Sequence, residues 1–259
     1  MHVLVVNDDG IQAEGLWVLA GELSRRGKVT VVAPDRERSA IGTAVTLFEP
    51  LHAEAYASPL PGITAWMVDG TPSDCTILGL GALTTEPVDT VVSGINPGLN
   101  VGEDVHISGT VGGALQGYFR GLPVIAVSAS AGSIQARNIA AEAAAEAAML
   151  MVTASSKRMF VNINVPDCPD GRVKGVRITR LARASHINTV AEETSGDRRR
   201  YHMTRTRLPD VNGAGTDIEA VNGGYISLTA LYTSLPDKPP QRLLKQLGDH
   251  LNVMFGGGS

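Results

Sequence analysis

Two adjacent carboxylates, Asp8 and Asp9, stand directly behind the apolar run Val3-Leu4-Val5-Val6 and directly before Gly10. Like charges held that close repel unless a cation lies between them or one takes up a proton. Side chains of neighbouring strand residues point to opposite faces, so the pair converges only if the chain turns out of the strand near Asp8. Gly10 makes such a turn easy. A plainer reading is an Asx turn leading into the next helix, but two aspartates after a buried strand favour a hard divalent metal. Two more oxygen-bearing residues follow later strands: Ser39 in an arginine-rich turn, and Asn96 at the end of Val91-Val92-Ser93-Gly94-Ile95-Asn96. Taken alone, each also reads as local turn chemistry. Together, Asp8, Asp9, Ser39 and Asn96 form an all-oxygen set suited to magnesium or manganese rather than zinc.

The loop that follows Asn96 is dense in glycine, amide and hydroxyl groups: Pro97-Gly98-Leu99-Asn100-Val101-Gly102, then Ser108-Gly109-Thr110 before a helix. A glycine-bearing turn into a helix N-terminus offers free amides and a favourable dipole to a phosphate. Each residue there also reads as an ordinary turn or cap. As a set, Asn96, Ser108, Gly109 and Thr110 are the candidate phosphate-binding group, with Asp8 and Asp9 as the candidate catalytic pair. A metal held at such a site polarises a phosphoryl oxygen and lowers the pKa of bound water. Fixed amides would hold the phosphoryl oxygens for in-line attack. Water is the favoured nucleophile, with Asp8 as ligand.

Positioning these groups needs strands that end on one edge. The pattern provides strands at 3–6, 28–35, 63–68, 88–96, 123–128 and 160–166, separated by helices at 14–26, 72–83, about 109–121 and 134–152. Thr71-Pro72 reads as an N-cap followed by proline at the first helical position. Strand and helix alternate as far as residue 166, which indicates a doubly wound, mainly parallel α/β sheet. The pattern then breaks. A strand at 176–181 precedes 184–215, which has no helical apolar face and contains Arg198-Arg199-Arg200, so it suits a protruding hairpin or arm. A strand at 224–231 and a last helix from Pro239 or Pro240, with a stripe of Leu243, Leu244, Leu247, Leu251 and Met254, complete the chain. The organisation expected is a core at 1–183 and, within the same domain, a segment at 184–259 of arm, return strand and terminal helix.

With 259 residues and 43% hydrophobic content, the chain can bury a large core. A net charge of −4 gives no general attraction to nucleic-acid polymers or membranes. Cys75 and Cys168 form neither a disulfide framework nor a zinc spacing, which points to a reducing compartment. Neither a signal core nor a run of roughly 20 apolar residues is found. The expectation is a cytoplasmic protein.

In order along the chain, Asn7-Asp8-Asp9-Gly10, Ala33-Pro34 with Ser39, Val68-Asp69-Gly70-Thr71-Pro72, Ser93-Gly94-Ile95-Asn96 with Gly98, Asn100 and Gly102, and Ser108-Gly109-Thr110-Val111 resemble the SurE (survival protein E) nucleotidase family. Asn162-Ile163-Asn164-Val165-Pro166 and Thr216-Asp217 with Gly224-Tyr225-Ile226-Ser227 extend the resemblance over nearly the whole chain. It implies a metal-dependent phosphomonoesterase acting on nucleoside monophosphates, a 5′-nucleotidase with possible 3′-nucleotidase and exopolyphosphatase activity. It also implies one magnesium or manganese ion per subunit on Asp8, Asp9, Ser39 and Asn96. The fold implied is a Rossmann-like core with a C-terminal arm and helix exchanged between subunits of a homodimer or homotetramer. The chain departs from the family pattern at His106, where tyrosine is usual, and at Ala230, where proline is usual.

The leading non-enzyme alternative is a phospho-acceptor receiver module, which also places an acidic pair after its first strand. It requires a lysine after a later strand, and Val127-Ser128-Ala129-Ser130 offers none. A haloacid-dehalogenase-type phosphatase needs Asp-x-Asp, and a dinucleotide fold needs Gly-x-Gly-x-x-Gly after the first strand.

Overall fold

The computed structural model of the chain describes residues 1–154, 159–183, 186–195, 198–207 and 213–231. At its centre lies β1 (His2–Val6), flanked by β2 (Lys28–Pro34) on one side and β5 (Thr90–Pro97) on the other, all parallel. From β2 the sheet continues to β4 (Thr64–Val68) and a short antiparallel edge strand, β3 (Ala53–Ala55), which the sequence pattern does not announce. From β5 it continues to β6 (Val124–Ala129) and β7 (Phe160–Val165), again parallel. The chain thus winds outward one way from β1 and then the other, which makes the β1/β5 boundary a topological switch point.

Between these strands run the helices α1 (Glu14–Ser24), α2 (Pro72–Leu78), α3 (Gly109–Phe119) and α4 (Ile134–Thr153). Strand alternation sorts the core into two layers. Val3 and Val5 face Leu16, Leu19 and the alanine stripe of α4, whereas Leu4 and Val6 face Ala114, Val111 and Cys75 of α3 and α2. Burial on both faces is why β1 reads as an unbroken apolar run. α2 starts on the expected Thr71 N-cap, which Asp74 completes as a capping box, the Thr71 hydroxyl accepting from the Asp74 amide and the Asp74 carboxylate from the Thr71 amide. It ends at Leu78 and passes into a π-helical turn, Gly79–Leu83, inside the span expected as one helix.

Beyond β7 the topology changes. β8 (Val176–Thr179) forms the sheet edge, and β11 (Ile226–Ala230) inserts between it and β7, antiparallel to β7. Between them, β9 (His186–Ser195) and β10 (Arg198–Arg207) make a separate two-stranded antiparallel hairpin, the protruding arm expected at 184–215. Arg205 and His186 at its root both approach Asp104. The residues after it include a short helix, α5 (Asp217–Asn222). The expected last helix from Pro239 or Pro240 lies outside the described residues. No described helix is long and apolar enough to cross a membrane.

Candidate active site

β1 ends at Val6 and the chain bends at Asp8 and Asp9. Asp8 meets α3, and Asp9 lines a cavity beside Glu14 and Gly15 of α1 and Arg137 of α4. The turn that follows is closed by Asn7, whose Nδ2 donates to the Gly10 carbonyl at 2.9 Å. Gly10 sits at φ 95°, a conformation that favours glycine, and an added Cβ would approach the Arg36 backbone to 3.1 Å.

Asp8 is 4% exposed and accepts a 2.5 Å hydrogen bond from the Thr110 hydroxyl, with the Thr110 backbone also favouring its charged form. The N-terminus of α3 therefore grips Asp8 directly, so Thr110 is engaged by a protein carboxylate. Burial still pushes the Asp8 pKa up, with the Thr110 bonds opposing the shift. Gly109 permits this approach, because a Cβ there would lie 2.7 Å from the Asp8 Cβ and 2.8 Å from its Oδ2. Ser108 caps α3, its hydroxyl accepting from the Val111 amide at 3.2 Å.

Asp9 has the more perturbed carboxyl, pushed up to about 7 by burial first, then by the charges of Asp8 and Glu37. Its Oδ2 is buried with no hydrogen-bond partner among the described residues. Asn96 lines the same cavity, and its Nδ2 donates to the Gly98 carbonyl at 2.6 Å. The pairing of β5 with β6 shifts register between Ser93 and Asn96, an irregularity of the kind that re-aims a side chain at a strand end. Ser39 is exposed and donates to Glu37 Oε1 at 2.6 Å. Its loop is tied to the site one residue earlier, where the Arg38 amide donates to the Asp8 carbonyl at 2.7 Å.

The structure thus gathers Asp8 with Gly109 and Thr110, places Asp9 and Asn96 on one cavity, and sets Ser39 against Glu37. Among the described residues, no three His, Cys, Asp or Glu side chains form a metal-binding group. What favours a cation here is an orphaned, buried carboxylate oxygen beside two other carboxylates. Arg36 and Arg38 of the same turn direct guanidinium groups to Asp35, and Arg38 also to the Asp69 carbonyl. Such a donor set fits a hard cation.

Sequence reading passed over Glu37, since an acidic residue in an exposed turn carries no signal until the fold brings it to Asp8 and Asp9. The sign of its effect is testable. A carboxyl whose folded pKa is raised above the ordinary 3.8 adds stability below that pH and loses it as pH climbs to about 7. The metal-free protein is expected to lose a few kcal/mol between pH 4 and pH 7 in urea melts, and Glu37→Gln to shallow that decline.

The polar network beneath the glycine loop was also missed as a site element. Asn164 Oδ1 accepts from the Asn100 amide, while Nδ2 of both Asn162 and Asn164 donates to the Asn100 carbonyl. Asn100 Nδ2 in turn donates to Ser128 Oγ. The far end of the loop is held by Asp217, fully buried, which accepts from the amides of Gly102, Ala182 and Ile218. Asparagines on alternating positions of a buried strand were the available signal. Asn164→Ala strands the Asn100 amide and leaves its carbonyl to Asn162 alone, and is expected to lower stability by about 1–3 kcal/mol. Denaturant titration checks this.

Comparison with known proteins is consistent with this geometry. The family model described as survival protein SurE matches residues 3–188. The chain is 48% identical to a 5′-nucleotidase SurE of Dehalococcoides mccartyi, over 93% of this chain and 92% of that protein. It is 39% identical to one of Moorella thermoacetica, over 99% and 98% of the two chains. A crystal structure of the SurE protein from Aquifex aeolicus superposes with a TM-score of 0.79 at 30% identity, covering 97% of this chain and all of that one.

Proposed function

The chain belongs to the SurE family, and on that premise we propose that it is a 5′-nucleotidase, a divalent-metal-dependent phosphomonoesterase that releases phosphate from nucleoside monophosphates. The observation that carries the reading is Asp9: a buried carboxylate oxygen without a partner among the described residues, at the β1/β5 switch point, in a group whose pKa burial first, and then the charges of Asp8 and Glu37, push up to about 7.

In this reading Asp8, Asp9, Ser39 and Asn96 hold one magnesium or manganese ion. When bound, the ion supplies Lewis-acid activation of water and of a phosphoryl oxygen. Asn96 turns its nitrogen to Gly98 and so keeps Oδ1 for the cation. Ser108 keeps its hydroxyl proton to donate, and with the Gly109 amide and Asn96 it orients the phosphoryl oxygens. Thr110 serves the phosphate group indirectly, by fixing Asp8. Water is the nucleophile. Asp8, buried and already accepting from the Thr110 hydroxyl, is a poor one. Attack forms the new P–O bond as the bond to the sugar oxygen breaks, and that oxygen leaves with a proton.

The partner we assign to the arm is a second copy of the chain, giving a homodimer or homotetramer. An isolated two-stranded hairpin is marginal in water, and this one exposes Val190, Tyr201 and Met203. Phosphate release from a panel of nucleoside 5′- and 3′-monophosphates and polyphosphate, with magnesium, with manganese and with EDTA, tests the reading. Turnover of 5′-monophosphates that EDTA abolishes and added metal restores is expected. Turnover indifferent to EDTA removes the metal, and absence of turnover in every metal removes the nucleotidase.

A further inference from the structure

The cavity that Asp9 shares with Asn96 has a volume of about 280 Å³. It lies on the α1/α4 side of the sheet, whereas Ser108, Gly109 and Thr110 lie on the α3 side. The α3 end proposed to hold phosphate and this hollow thus flank the β1 end, with Asn96 on the lining of the hollow. A phosphomonoester spans such an arrangement, with its phosphoryl group over the strand end and its leaving group in the hollow.

We infer that this cavity receives the nucleoside half of a nucleoside monophosphate, and that Arg137 recognises its sugar hydroxyls. The inference rests on the nucleotidase reading and adds to it the site of the leaving group. Its floor is apolar, from Ile95 and Ala129, which suits a base or sugar face better than a second phosphate. On the wall, Arg137 Nη2 donates to Glu14 Oε1 at 2.6 Å, and Asp9 adds a second carboxyl, so the lining has no excess of positive charge. That balance disfavours a polyanion and favours neutral hydroxyls, which can accept from the guanidinium and donate to the carboxylate. Among the described residues, Arg137 is the one basic side chain of the cavity lining, so its terminal guanidinium nitrogens are the donors nearest to a hydroxyl there. At about 280 Å³ the cavity lies just below the roughly 300 to 1,000 Å³ of drug-sized ligand sites, a size for a nucleoside and not an oligonucleotide.

The test compares two substrates of the intact metal-loaded enzyme: a nucleoside 5′-monophosphate, and p-nitrophenyl phosphate, which has no sugar. Arg137→Ala and Ser130→Trp, the second placing an indole in the cavity, are measured beside wild type. The expected result is a drop of about tenfold or more in the ratio of kcat/KM for the nucleotide to that for p-nitrophenyl phosphate. A matching loss of competitive inhibition by the free nucleoside is expected. An unchanged ratio in both variants overturns the assignment, as does a fall in the ratio confined to Phe48→Ala, which would put the nucleoside on the exposed apolar loop at 41–48 instead. Wild type that hydrolyses p-nitrophenyl phosphate but no nucleotide defeats the nucleotidase reading itself, and is distinguished from failure of the cavity assignment by needing no variant.

Discussion

Asp9→Asn is expected to abolish most phosphatase activity while making the metal-free protein more stable. The substitution keeps size and shape and removes one negative charge, so its two effects separate catalysis from folding. With the charge gone, a proposed ligand is weakened, and kcat/KM should fall by a factor on the order of 10² or more, equivalent to about 2.7 kcal/mol of barrier. In the absence of metal the same charge is a burden, because burial, Asp8 and Glu37 all disfavour it. Above pH 7 the variant should therefore unfold at higher urea than wild type, by about 1–3 kcal/mol. Adding magnesium or manganese should raise the wild-type midpoint much more than that of the variant. Equal stabilisation of both proteins by metal would move the cation away from Asp9. A variant both inactive and less stable without metal would make Asp9 a structural residue.

Gly109→Ala is the second large effect, and it acts through contact. A methyl group at this position would lie 2.7 Å from the Asp8 Cβ and 2.8 Å from its Oδ2, inside any tolerable separation. Asp8 is buried and gripped by Thr110, so neither partner can swing clear. Either the first turn of α3 lifts from β1 or Asp8 leaves its position. Overpacking of this kind costs about 1–3 kcal/mol of stability. The loss of activity should be larger, at least 10²-fold, since both a proposed metal ligand and the phosphate-facing helix end are displaced. Gly81→Ala is the control, because the nearest atom to its added Cβ is the Arg120 side chain at 3.9 Å. It should leave kinetics and stability close to wild type. Activity retained in Gly109→Ala would mean that the close contact of α3 with Asp8 is not needed for turnover.

Local chemistry determined a good deal in advance. Val3-Leu4-Val5-Val6 could be buried on both faces only inside a parallel sheet, and it is the central strand. Thr71-Pro72 with Asp74 had to start a helix, since their side chains satisfy its first amides wherever the segment packs. Asp8 and Asp9 after that strand, with Gly10 to turn the chain, pointed to the carboxyl edge of the sheet as the place of chemistry. Each signal acts over a few residues, so it is written in a few residues.

What only the tertiary structure decided is how distant segments share those groups. Thr110 reaches Asp8 across 102 residues and turns a group expected to face phosphate into one that holds a carboxylate. Glu37 matters because the Arg38 amide ties its turn to the Asp8 carbonyl. β11 runs antiparallel between β7 and β8, a placement that its own alternating pattern suits no better than a sheet edge. Asp217 anchors Gly102 from 115 positions away. The chain bends at Asp8 and Asp9, as convergence of the pair requires, and packing leaves the two close enough for one charge to raise the pKa of the other. Residue type and spacing determine which groups can do chemistry. Which of them meet depends on packing and electrostatics summed over the whole fold, and no local stretch of chain contains that sum.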